Sequence, residues 1–126
     1  MKKLPVVFLL LLSMSVSFAQ RIIFDGCKIT RNYASVTREF YAYGDVYIET
    51  DPEEPVDMLI KVVTDIHANM WIYKTTDEPQ DCGEWRFVKD RSKAKFTIRL
   101  VNELEDCTIR FVSKQSDAGC WGYRER

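Results

Sequence analysis

Five basic side chains recur along the chain at nearly even spacing, each directly after a branched or aromatic residue. They are Lys61, Lys74, Arg86, Arg99 and Arg110, separated by 13, 12, 13 and 11 residues. At matched positions of successive strands, about 4.8 Å apart, these bases would form a ladder across one sheet face. Such a ladder predicts binding to an anionic polymer or to an acidic partner surface. The alternative is a solvated face, in which the aliphatic stems cover neighbouring side chains.

Aromatic side chains are the second group able to contact a ligand, because their rings can stack on sugars. Most of them occupy the apolar side of a period-two alternation, where packing in the core explains them. Trp121 differs, since it stands in a Cys-Trp-Gly turn after the last predicted strand. It is our candidate aromatic contact for a partner.

Four cysteines, Cys27, Cys82, Cys107 and Cys120, follow the leader segment of the chain, and none forms a Cys-x-x-Cys pair. An even number of cysteines in an exported chain predicts structural disulfides, here two. Three connectivities are open, and spacing alone does not choose among them. We favour Cys82–Cys120 with Cys27–Cys107, because Cys82 and Cys120 close two similar blocks of about 38 residues.

The sequence shows no catalytic or metal-binding constellation. His67 is the only histidine, so it cannot anchor a multi-histidine metal site. Acidic pairs such as Glu53-Glu54 and Asp77-Glu78 stand in predicted turns, without the alternating oxygen ligands and glycine of a calcium loop. We therefore predict no metal, no cofactor and no enzymatic activity.

The elements that would position these residues are short strands. In residues 96–101, for example, Phe96, Ile98 and Leu100 alternate with the side chains of the other face, which is typical of a half-buried strand. Strands are predicted near 46–50, 58–64, 70–75, 84–89, 95–101 and 107–112. Connections of about five or six residues are too short for parallel crossovers, which need about a dozen or more. The expected fold is all-β: an antiparallel meander of six to seven short strands in a curled sheet or barrel, held by two disulfides.

Residues 31–43 fit two structures. Tyr33, Val36, Phe40 and Tyr43 have helical spacing, and Asn32 could cap a short N-terminal helix. The same segment could instead form a strand pair turning at Tyr43-Gly44-Asp45. We favour the helix slightly.

The strand-then-turn pattern also carries a family resemblance. Gly83-Glu-Trp-Arg-Phe-Val-Lys-Asp-Arg-Ser-Lys-Ala and Ile109-Arg-Phe-Val-Ser-Lys-Gln-Ser-Asp-Ala-Gly resemble the repeated units of small bacterial proteins, the septknot-type domains. The resemblance covers about residues 46–122. It implies an all-β repeat domain, often exported, and brings no catalytic residues with it.

Composition and the first residues bound the compartment. Residues 1–19 have the charged start, apolar run and small-residue exit of a signal peptide, so residues 20–126 would be a single exported domain. Without Lys2 and Lys3 the net charge is near −3, which argues against a nucleic-acid partner. No later apolar run approaches the length of a membrane span.

These observations predict an exported binding or structural module, soluble in the periplasm or outside the cell. We expect it to act through protein–protein interaction at the cell envelope. One alternative is a glycan- or polyanion-binding module that uses the basic ladder. The other is a small secreted enzyme or inhibitor.

Overall fold

The computed structural model describes residues 21–33 and 36–121, and the predicted signal peptide lies outside them. The described chain forms ten strands and two three-residue 3-10 helices, Arg91–Lys93 and Gln115–Asp117. The strands are β1 (Ile22–Asp25), β2 (Lys28–Tyr33), β3 (Val36–Tyr41), β4 (Gly44–Ile48), β5 (Met58–Val62), β6 (Met70–Lys74), β7 (Glu84–Phe87), β8 (Phe96–Leu100), β9 (Cys107–Val112) and β10 (Gly119–Cys120). Within residues 21–33 and 36–121, no helix has the length and apolar character needed to cross a membrane.

The first three strands form an antiparallel sheet in the order β1-β2-β3. The helix favoured for residues 31–43 is therefore wrong, and so is the alternative turn at Tyr43-Gly44-Asp45. Period-two alternation decides the structure, because Phe40 is buried and its ring stacks on Phe96 at 4.8 Å. Tyr33 and Val36, which the helical spacing placed on the same apolar stripe, are exposed instead.

The other strands build a closed barrel of six parallel strands. Their order around the barrel is β6-β7-β4-β8-β5-β9, and β9 pairs again with β6. The short strand β10 adds to β6 in antiparallel fashion. The barrel is filled by alternate residues of its six strands, which include Val46, Ile60, Met70, Ile72, Trp85, Phe96, Ile98 and Ile109. The predicted antiparallel meander is wrong.

Strand stagger explains how connections of six to nine residues can join parallel strands. Ile48, at the end of β4, is level with Ile98 of β8, and Ile98 is level with Met58, which begins β5. Strand β5 therefore begins at the level where β4 ends, with β8 between them. The connection crosses one strand and need not run back along the barrel. The β5–β6, β7–β8 and β8–β9 connections follow the same rule. The residue level with both strand ends is Ile109, Val46 and Ile60, respectively.

Where a strand begins, the stagger leaves a backbone N–H of the adjacent strand without a backbone acceptor. A polar side chain accepts a hydrogen bond from that N–H. Each such side chain stands one residue before β5, β6 or β9. The pairs are Asp57 Oδ2 with Thr97 at 2.8 Å, Asn69 Oδ1 with Thr108 at 2.7 Å, and Asp106 Oδ2 with Leu59 at 2.7 Å. Buried N–H groups without an acceptor would destabilise the fold, so these three residues fix the register.

One disulfide, Cys27–Cys82, ties the three-stranded sheet to the barrel. The backbone of Ala42 brings the two cysteines together: its N–H donates to the Cys27 carbonyl, and its carbonyl accepts from the Gly83 N–H, both at 2.8 Å. The predicted pairs Cys82–Cys120 and Cys27–Cys107 are wrong, and so is the count of two bridges. Those pairs assumed that Cys82 and Cys120, which close two similar blocks, lie close together. In the structure the β1–β2 turn places Cys27 beside Cys82 instead.

Cys107 and Cys120 form no disulfide in the structure. Burial raises the pKa of the Cys107 thiol well above its usual value, and the carboxylate of Asp106 adds to that shift. We expect a disulfide-exchange reagent at neutral pH to modify only Cys120 in the native protein, because a thiol reacts as its thiolate. Two thiols per chain should react after denaturation. Spectrophotometric thiol titration checks both values, and a denatured chain with no reactive thiol would contradict the structure.

Candidate functional site

The structure distributes the five predicted bases around a closed barrel. Four of them alternate with inward-facing neighbours and are half-buried on its outer surface: Lys61, Arg86, Arg99 and Arg110. Lys74 instead has the parity of the buried residues Met70 and Ile72, and it reaches solvent only because it ends its strand. Strand β4 separates the strands that carry Arg86 and Arg99. The five bases therefore lie on a curved surface, whereas a ladder requires a flat one.

Arg86 is held by a carboxylate on the neighbouring strand. It is level with Asp45 and donates to it from Nε at 2.6 Å and from Nη2 at 3.1 Å. These hydrogen bonds raise the pKa of the Arg86 guanidinium above its usual value. A two-pronged pair of this kind leaves little of the charge for an external anion.

Arg110 and Lys74 lie over aromatic rings. The Arg110 guanidinium carbon is 5.0 Å from the Trp71 ring centroid, and the Lys74 Nζ is 4.9 Å from that of Phe111. Trp121 meets Trp71 edge-on at 6.2 Å and stays 47% exposed. Its contact with a partner therefore remains a prediction, now placed on a surface that includes Trp71 and Arg110.

Two carboxyl groups have shifted pKa values without forming a reactive pair. Desolvation acts to raise the pKa of Glu84, but hydrogen bonds from the Gln115 side chain and from the backbone of Gln80 and Asp81 outweigh it and lower that pKa. A hydrogen bond from the Ser92 side chain, with one from its backbone, lowers the pKa of Asp90. Among the residues that the structure describes, no group of three or more His, Cys, Asp or Glu side chains could hold a metal ion.

The outer edge of β3 is the surface that the sequence analysis missed. Strand β3 pairs with β2 on one side, and no described strand pairs with its other side. The Ala42 N–H donates to the carbonyl of Cys27, the residue before β2, so the antiparallel alternation directs the N–H and C=O groups of Arg38 and Phe40 to β2. The backbone groups of Thr37, Glu39 and Tyr41 therefore point to the outer edge.

A groove lies beside this edge. Its volume is about 280 Å³, and its walls are Arg38, Glu39, Phe40, Tyr41, Tyr43 and Lys95. The Tyr41 side chain is 57% exposed, and its ring centroid is 6.0 Å from that of Tyr43. The only sequence signal for this site was the run Val36-Thr-Arg-Glu-Phe-Tyr, whose branched and aromatic residues suit a strand.

The fold and this edge define a class of protein: a parallel six-stranded barrel with an antiparallel sheet packed against it. Comparison with protein families identifies the class further. Residues 41–121 match the family described as the 7(1) septoil knot domain, and the chain belongs to that family. The resemblance seen in the sequence is thereby confirmed at the level of the domain. Comparisons with curated proteins and with solved structures give no match.

Proposed function

We propose that this chain is an exported binding module that pairs with an extended segment of a partner protein at the cell envelope, and that it does not catalyse a reaction. The observation that carries the proposal is the outer edge of β3, with which no strand among the described residues pairs. An exposed edge presents N–H and C=O groups at strand spacing, and peptide segments bind such edges by adding a strand. The Cys27–Cys82 disulfide supports an oxidising compartment, which fits export.

Backbone pairing would supply the affinity, and the groove would supply the specificity. Three residues, Thr37, Glu39 and Tyr41, offer up to six backbone hydrogen-bonding groups to an added strand. Alternate side chains of that strand would enter the groove, where the Tyr41 and Tyr43 rings provide apolar contact and Lys95 provides charge. Tyrosine is enriched at interfaces because its ring packs while its hydroxyl stays hydrated.

The polyanion alternative has less support from the geometry. Arg86 is neutralised by Asp45, while Lys74 and Arg110 lie over rings. Lys61 is half-buried on a surface that curves away from the others. In the part of the chain that the structure describes, these four bases form no flat face for a polymer.

The test compares two substitutions of Glu39. Glu39→Pro removes the outward N–H and leaves the hydrogen bonds to β2 intact, which an edge strand tolerates. Glu39→Ala keeps that N–H, and both variants lose the same exposed ion pair with Lys28. Each protein is immobilised and exposed to envelope extract from the source cells. We expect a partner that the wild-type and alanine proteins retain and the proline protein loses, and that a peptide from its own extended segment displaces.

Three results would contradict the proposal. Retention of every bound partner by the proline variant would place the binding surface elsewhere. Equal loss with alanine and proline would assign recognition to the Glu39 side chain rather than to the backbone. Sedimentation of the wild-type protein as a dimer that Glu39→Pro dissociates would make a second copy of this chain the occupant. Matched unfolding midpoints for the two variants establish that both are folded.

A further inference from the structure

Three arginines meet at a cavity between the three-stranded sheet and the barrel, away from the β3 groove. The cavity has a volume of about 300 Å³, and its lining includes the arginines Arg21, Arg31 and Arg99, together with Tyr33 and residues 52–56. Its position follows from the fold, since Arg21 directly precedes β1, Arg31 lies on β2 and Arg99 lies on β8. None of the three was linked to the others in the sequence.

The guanidinium groups at this cavity are not fully satisfied by the protein. The Nε atoms of Arg21, Arg31 and Arg99 are all buried without a hydrogen-bond acceptor among the described residues. Arg31 donates from Nη1 to the Val56 carbonyl at 2.9 Å. Arg99 donates from Nη2 to the Asp51 carbonyl at 2.6 Å and also to the Glu54 carbonyl. Buried N–H donors without an acceptor favour a bound water or ligand that accepts from them.

The three guanidinium groups differ in their carboxylate partners. Asp57 accepts hydrogen bonds from Arg38 at 2.5 and 2.6 Å and lies 3.7 Å from Arg31, so one carboxylate serves two guanidiniums. Arg99 forms no ion pair within the part of the chain that the structure describes. Arg21 reaches Asp106 only at 3.6 Å. The positive charge of Arg99 is therefore available to a ligand.

The guanidinium planes are held in place by an aromatic ring. The guanidinium carbons of Arg21 and Arg31 lie 4.8 and 5.5 Å from the centroid of Tyr33. Such stacking fixes the direction of the remaining donors and lowers the entropy lost on binding a ligand.

We propose that this cavity binds a small monocarboxylate with a short apolar body. Guanidinium groups match the geometry of a carboxylate, and Val56, Leu59 and Pro55 offer an apolar wall. A volume of this size suits a small molecule. The exposed carboxylates of Glu53 and Glu54 stand at the same cavity, and they disfavour a second negative charge on the ligand.

Calorimetric titration of the oxidised protein with benzoate tests the proposal. We expect benzoate to bind, and its neutral analogue benzamide to bind at least about tenfold more weakly. Arg99→Gln should weaken benzoate binding by about tenfold or more, because it removes the base that no carboxylate neutralises. Arg86→Gln also removes one positive charge, but from the distant pair with Asp45, and should leave binding unchanged.

Arginine Nε–H resonances of the wild-type protein provide a readout that needs no variant, in case Arg99→Gln fails to fold. Benzoate should shift the signals of Arg21, Arg31 and Arg99 and leave that of Arg86 in place. The absence of heat and of shifts at about 10 mM benzoate would overturn the proposal. Equal binding of benzamide, or tighter binding of inorganic phosphate or succinate, would overturn the assignment to a monocarboxylate.

Discussion

Replacement of Cys27 and Cys82 together by serine is expected to lower the free energy of unfolding by about 4 kcal/mol. The two cysteines are 55 residues apart in sequence, so their bond removes much conformational freedom from the unfolded chain. The bond also joins the three-stranded sheet to the barrel. Without it, the three-stranded sheet should separate from the barrel before the barrel unfolds. Denaturant unfolding followed by tryptophan fluorescence measures the difference.

The matched control is Cys120→Ser, which changes one half-buried thiol that forms no disulfide. It should shift the free energy of unfolding by less than about 1 kcal/mol. Reduction of the wild-type protein should reproduce the double variant. If reduced and oxidised proteins unfold at the same denaturant concentration, the bond does not hold the two sheets together.

Asp57→Ala is expected to destabilise the protein by about 3–5 kcal/mol, because it leaves the buried Thr97 N–H without an acceptor and the mostly buried Arg31 guanidinium without its counter-ion. The Asp57 side chain accepts from the Thr97 N–H at 2.8 Å and from Arg38, and it lies near Arg31. Only 4% of the residue is exposed, so water does not replace these bonds.

Asn69→Ala is the comparison for that effect. Asn69 accepts from the Thr108 N–H at 2.7 Å in the same position before its strand, but it carries no charge. Its loss should cost about 1–3 kcal/mol, the penalty for a buried donor without an acceptor. The difference between the two variants measures the contribution of the arginines. Equal destabilisation by both would contradict the role given to the charge.

The positions of the six barrel strands could be predicted from the sequence, while those of β1 to β3 and the pairing of the strands could not. Alternation in segments such as Phe96–Leu100 reports only that one face is buried, and it is the same for parallel and antiparallel partners. The short connections led to a wrong prediction of antiparallel topology. The stagger that lets such connections join parallel strands depends on long-range register, such as Ile48 beside Ile98. The only local sequence signal of that stagger is the polar residue before a strand, namely Asp57, Asn69 or Asp106. Each of these is indistinguishable in sequence from an ordinary turn residue.

The candidate sites were less accessible to sequence reasoning than the strands. Alternation predicted that Arg86, Arg99 and Arg110 face away from the apolar side of their strands, but it gave no information about Asp45 or Trp71 beside them. The free edge of β3 depends on which strand has no neighbour, and the arginine cavity depends on residues far apart in the chain. Both are properties of pairing, which a single sequence does not encode locally.

Amide hydrogen exchange along β3 is the most direct test of the proposed binding mode. In the free protein, Arg38 and Phe40 should exchange slowly, whereas Thr37, Glu39 and Tyr41 should exchange fast, because only the first two donate to β2. Addition of the partner retained by the wild-type protein should slow all three outward amides. If they remain fast in the complex, or are already slow in the free protein, the partner does not add a strand to this edge.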